Sequence, residues 1–160
     1  MFRSLDYEST SFFSAAGVLT NPVQAEHIVS KQLNGLHVAT ILPGATRGNH
    51  MHARHSEVLV MIHGKFLLRV AALQNDGQWA AEDYLFEIGL PADPFSPVNS
   101  IVSSAPIGLQ LLPDVCHALR NVDSQSTAFF ASYTIAPMDE QREEPNRDVC
   151  RAQPIAFLKP

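Results

Sequence analysis

The sequence predicts an all-β protein, a sandwich or a barrel, and three observations carry that expectation. Apolar runs of strand length recur through the middle of the chain. Turn signals punctuate them at close spacing. No stretch there keeps the apolar period of a long helix. The 160 residues are 46 % hydrophobic and 17 % charged, enough for one folded domain with a sizeable core. That domain is read as residues 1–160, with an N-terminal extension over 1–22 and a tail over 137–160.

The elements follow in order. Ser4 or Asp6 is placed to cap a short helix ending near Gly17, anchored by Leu5, Phe12 and Phe13. Asn21-Pro22 reads as a turn. Strands are expected over 25–32 and 35–42, joined through the hairpin signal Asn34-Gly35. Pro43-Gly44 breaks the second. Runs 57–62 and 65–72, with His63-Gly64 between them, suggest an antiparallel hairpin, and Asn75-Asp76-Gly77 a further turn. Segment 82–98, with prolines at 91, 94 and 97, reads as a long loop holding one strand at 84–88. Strand signals return at 99–104, 108–112, 117–121 and 127–135. The charged tail is expected on the surface, with the apolar run 155–158 tacked back onto the body.

A formal net charge of −5 argues against a nucleic-acid partner, although a few local arginines suffice for a small anion. Cys116 and Cys150 are too few for a disulfide framework and read as reduced thiols. The N-terminus lacks the apolar core of a signal peptide, and no run approaches membrane-spanning length. The expected location is the cytoplasm, with no membrane partner.

The chemistry gathers between Gly44 and Gly64. His50, His52 and His55 fall within six residues, and Glu57 follows two positions on. His50 and His52 are two apart, so on a strand both imidazoles share a face. His117 stands between a Pro-Asp turn and a short strand, a place from which one more imidazole can project into a barrel. Three neutral nitrogens and a carboxylate leave open positions on a divalent transition metal; zinc, iron, manganese and nickel all accept such ligands. His55, on the connecting turn, reads as a solvent-facing neighbour or a general acid or base, and Tyr133 as packing or proton transfer. His27, His37 and His63 lack a partner pattern and read as structural or exposed. Cys116 directly precedes His117 and should point to the opposite face. Arg47 either holds its own loop or clamps a phosphate or carboxylate.

The run Gly44-x5-His50-x-His52-x4-Glu57-x6-Gly64 resembles the first signature of the cupin superfamily at every fixed position. The second signature is partly matched by His117 and, four residues on, Asn121. Leu112 stands where the family has a proline and Asp114 where it has a glycine; Asp tolerates positive φ better than most residues. The resemblance implies a double-stranded β-helix, or jelly-roll barrel, with a metal inside its mouth held by His50, His52, Glu57 and His117. Arg47-Gly48-Asn49-His50-Met51-His52 is similar to a run in sugar-nucleotide cupins, among them capsular-polysaccharide-assembling proteins and dTDP-sugar 3,4-ketoisomerases. The implied substrate is a sugar or sugar nucleotide contacted by Arg47 and Asn121. It would be isomerised or epimerised through a metal-stabilised enediolate, with His55 or Tyr133 moving the proton. An iron(II) dioxygenase acting on a small organic substrate, a non-catalytic ligand-binding cupin, and a metal-free isomerase using His50 or His52 as acid or base are the alternatives. Exposed sheet edges imply a homodimer, with residues 1–30 as the exchange element.

Overall fold

The computed structural model describes residues 1–5, 7, 11–14, 17–24, 26–27, 33–91, 97, 99–135 and 149–151. Its strands are β1 (Phe2–Leu5), β2 (Ser11–Ser14), β3 (Gly17–Thr20), β4 (Leu33–Ile41), β5 (Thr46–His52), β6 (Ser56–Leu73), β7 (Trp79–Ile88), β8 (Ser100–Ser103), β9 (Ile107–Leu111), β10 (Cys116–Asn121), β11 (Ala128–Ile135) and β12 (Val149–Arg151). β2 and β3 form a separate hairpin. The others build a jelly roll of two layers. One layer runs β1-β9-β6-β11-β4 and the other β8-β7-β6-β10-β5-β12. Every pairing is antiparallel except β7 with β8.

β6 belongs to both layers. Residues 56–63 pair with β9 and β11, and residues 64–73 with β7 and β10. The hairpin expected at His63-Gly64 is therefore a bend within one strand of 18 residues. Gly64 makes the bend possible. Its φ is 127°, and a Cβ there would lie 2.6 Å from the Cβ of Ala128. The inward face also changes phase at this point: Leu59 and Met61 face the barrel core before it, Phe66, Leu68 and Val70 after it. Each of those last three side chains is fully buried, a burial that stabilises by roughly 1.5–3 kcal/mol apiece.

Other expectations shift in the same way. Asn34-Gly35 is no hairpin, because both residues lie inside β4. There Gly35, with φ 71°, is the extra residue where the register against β11 slips between Tyr133 and Thr134. The helix expected before Gly17 is replaced by β1, which pairs with β9 and so joins the main sheet, and by the β2–β3 hairpin. Of the strand expected over 25–32, the described residues Glu26 and His27 are helical, with the His27 N–H on the Gln24 carbonyl at 3.0 Å. The turn at Asn75-Asp76-Gly77 is present, closed by the Gln74 N–H on the Gln78 carbonyl at 2.8 Å. The apolar run 155–158 lies outside the described residues.

The layers enclose one core. A second apolar cluster covers the outer face of the first layer, where Leu5, Tyr7 and Val23 pack on Val58, Val60, Ala131 and Tyr133. Gly108 makes room there, since a Cβ would collide with the Tyr7 ring. Among the described residues no helix is long and apolar enough to cross a membrane.

Candidate metal centre

Two irregularities aim the histidines. Opposite β10, the register of β5 skips a residue: His117 pairs with His50 and Ala118 with Gly48, so Asn49 is extra. Gly48 and Asn49 have φ of 86° and 64°, consecutive left-handed conformations that form the bulge. A Cβ on Gly48 would lie 3.1 Å from the His117 carbonyl oxygen. In the turn before β10, Asp114 has φ 61°, the positive value its type tolerates, and its N–H donates to the His52 carbonyl at 2.8 Å. That bond ties the two halves of the site together.

His50, His52, Glu57 and His117 converge as expected. Their Nε2 atoms reach a single oxygen, Glu57 Oε2, at 3.5 Å from His50, 3.2 Å from His52 and 2.8 Å from His117. His50, His52 and Glu57 offer ligand atoms all within 4.8 Å of one another. His117 joins them through Glu57, its ring centroid 4.6 Å from that of His50 and 6.2 Å from that of His52. Burial would push the Glu57 carboxyl up, but the imidazoles of His117, His50 and His52 outweigh it and hold the group well below the usual carboxylate range.

The donor set fits a divalent cation on two grounds. Neighbouring donors each about 2.1 Å from a metal stand about 3.0–3.4 Å apart, close to the spread of separations found here. The His117 tautomer adds a chemical reason. Its Nδ1 lies 3.3 Å from the Val115 carbonyl, an acceptor, so the proton of a neutral ring sits on Nδ1. Nε2 then faces a carboxylate oxygen lone pair to lone pair, a contact that calls for a proton or a cation between them.

His50, Glu57 and His117 line a trough of about 1100 Å³ whose walls include residues of β4 and β5. Arg47 stands in its wall, its Nε–H donating to the Thr40 carbonyl at 3.1 Å. Thr40 pairs with Phe129, and both line the trough.

No protein-family model matches this chain, and no curated protein matches it by sequence. Solved structures do. A dTDP sugar isomerase from Desulfovibrio desulfuricans G20 has 13 % identity and a TM-score of 0.58 over 94 % of this chain and 83 % of its own. A mutant of the sugar 3,4-ketoisomerase of Thermoanaerobacterium thermosaccharolyticum, in complex with TDP-4-keto-6-deoxyglucose, has 14 % identity and a TM-score of 0.56 over 94 % and 86 %. The dTDP-6-deoxy-D-glucose-3,5-epimerase of Legionella pneumophila, in complex with dTDP-4-keto-L-rhamnose, has 11 % identity and a TM-score of 0.53 over 85 % and 67 %. The chain has the cupin fold.

Three residues expected in the cupin site stand elsewhere. Asn121 is fully buried and its polar atoms serve the backbone. Its Nδ2 donates to the carbonyls of Ile41 at 3.0 Å and Ser126 at 2.7 Å, and its Oδ1 accepts from the Asp123 N–H at 3.0 Å. It fastens β10 to the end of β4 and to the following turn, and it is not among the residues that line the trough. Tyr133 projects from the far side of the first layer, since its neighbour Thr134 is the residue in register with Glu57. Its hydroxyl meets His27 Nδ1 at 2.9 Å and the Gln24 N–H at 3.3 Å, beneath the N-terminal segment. His55 is 1 % exposed and does not line the trough. Neither residue is placed to move a proton on a substrate there. Sequence reasoning passed over His37 and Ser132, which pair across β4 and β11 and line the trough. The signal was present: His37, Ala39 and Ile41 alternate on one face of their strand.

Proposed function

We propose that this cupin is a metal-dependent isomerase or epimerase of a keto sugar carried on a nucleoside diphosphate. The observation that carries the reading is one trough lined by His50, His117 and Glu57, with His52 behind them on the same carboxylate and the Arg47 guanidinium in its wall. His50, His52, Glu57 and His117 would hold the cation. When bound, such a cation supplies Lewis-acid stabilisation of an enediolate oxygen. Arg47, fixed through Nε, has both Nη groups open among the described residues, for a diphosphate oxygen. The β4–β11 wall shields the sugar from water on one side. The ligands of the fold neighbours support the substrate class.

A metal-free version of the reaction is the second reading. It is favoured by His50, whose side chain is 20 % exposed and lines the trough, while His52 lies behind at 7 %. There His50 would be the base and Glu57 its partner.

Elemental analysis of protein purified without added metal is the first test, run on wild type and Glu57→Gln. Metal present in wild type and lost in the variant supports the metal-dependent reading, whereas iron accompanied by O2 uptake points to a dioxygenase. The second test is a thermal-shift and NMR screen against keto sugar nucleotides. No shift and no turnover, with Arg47→Ala also silent, sinks the substrate class. We also infer a homodimer with residues 1–30 as the exchange element. Leu36 and Val38, 47 % and 73 % exposed on the outermost strand of their layer, support an unpaired edge that a second copy covers. A monomeric mass by light scattering at micromolar concentration overturns it.

A further inference from the structure

We propose that His37 is the acid–base residue that moves the proton on the substrate, an inference resting on the metal-dependent reading above. The chemistry requires an imidazole that faces the substrate and is not engaged by the cation. Among the trough-lining histidines, His50 and His117 point their Nε2 atoms at Glu57. His37 is the third, and no hydrogen bond or ion pair holds its ring among the described residues.

Its placement follows from the register. His37 pairs with Ser132, Ser132 with Leu59, and Leu59 belongs to the barrel core, so this row faces inward. Glu57 lies two residues before Leu59 on the same face of β6. The His37 ring therefore belongs to the face that carries the metal centre. It is also exposed at the rim, where its proton exchanges with solvent between turnovers. β4 carries the anchor as well. Arg47 is fixed on the carbonyl of Thr40, three residues along, which is about 10 Å of strand. One strand thus sets the distance between the diphosphate clamp and the base.

The step conserves atoms and electrons. His37 accepts the proton from the carbon next to the carbonyl. The C–H electron pair forms the enediolate double bond as the carbonyl π pair moves to oxygen. His37 then returns the proton to the former carbonyl carbon, and a hydroxyl proton passes from one oxygen to the other. No oxidant or reductant is consumed. A neutral imidazole carries one free and one protonated ring nitrogen, so it can both accept and donate a proton in such an exchange.

The test compares metal-loaded wild type with His37→Ala and His37→Gln, using TDP-4-keto-6-deoxyglucose in D2O. NMR follows deuterium entry beside the carbonyl, calorimetry follows TDP binding, and added imidazole is tested for rescue. The expected result is a loss of exchange of about a hundred-fold or more in both variants. TDP affinity and metal content should stay within two-fold, and imidazole should restore part of the rate to His37→Ala. Wild-type exchange rates in the variants overturn the inference, as does a loss that imidazole leaves unchanged. A wild type that binds TDP but incorporates no deuterium overturns it too. A wild type that does neither overturns the isomerase reading and this inference with it.

Discussion

Replacing Gly64 by alanine tests whether the bend of β6 is what holds the barrel together. Two separate penalties act on the new Cβ. A φ of 127° lies in a region that non-glycine residues rarely adopt, which costs about 1–3 kcal/mol. The Cβ would also sit 2.6 Å from the Ala128 Cβ and 2.9 Å from its Cα. The second contact is with backbone held in register against Ile41 of β4, so it cannot swing away as a side chain would, and overpacking of this kind costs about 1–3 kcal/mol. The sum, about 2–6 kcal/mol, is a large part of a domain stability of about 5–15 kcal/mol. Urea unfolding followed by circular dichroism should show a lower midpoint with an unchanged slope. Adding Ala128→Gly to Gly64→Ala separates the penalties. It removes one partner of the collision, leaves the φ strain in place, and introduces a strand glycine worth about 0.5–1 kcal/mol. The double variant should recover only part of the loss. A Gly64→Ala protein within about 0.5 kcal/mol of wild type would refute the account of the bend.

Three other outcomes are expected. Gly48→Ala forces a side chain onto a φ of 86° and crowds the His117 carbonyl, so the fold should lose about 1–3 kcal/mol and metal titration should show weaker binding. Asn121→Ala strips partners from buried backbone groups and should lower stability by about 1–3 kcal/mol while leaving KM unchanged; a raised KM with normal stability would restore its substrate role. Burial lowers the pKa of His27 from 6.5, against the pull of Glu26 and with a smaller push from Arg3. The unfolded chain therefore takes up this proton first. The contribution of His27 should be complete above pH 6.5 and fall away as the pH drops toward the lower folded value. Unfolding midpoints from pH 7.5 to 5 should decline less steeply in His27→Gln, and an identical slope would refute the assignment.

Many of the strands beyond residue 35 and the convergence of His50, His52 and Glu57 were legible in the sequence because both rest on local spacing. His50 and His52 share a face by strand parity alone, and Asp114 was recognisable as a residue able to replace glycine in its turn. What escaped depends on pairing between distant segments. A glycine between two apolar runs looks the same whether the chain reverses, as a hairpin at Gly64 would, or bends and switches sheets. The side of the sheet that Tyr133 occupies is set by the register of Thr134 against Glu57, separated by about half of the chain. His37 was read as structural or exposed and is exposed, but its place on the trough escaped for a related reason. Its strand pattern was readable, but only the course of β4 beside the trough gives that inward face a ligand to meet.

Because β6 is hydrogen-bonded to β9 and β11 along one half and to β7 and β10 along the other, neither layer can open alone without fraying the strand the other depends on. The molecule should thus behave as a single cooperative unit. Amide protons at Val60 and at Leu68, on opposite sides of the bend, should exchange through the same global event. The cluster of His50, His52, Glu57 and His117 inherits that protection, since Glu57 rides near one end of this shared strand.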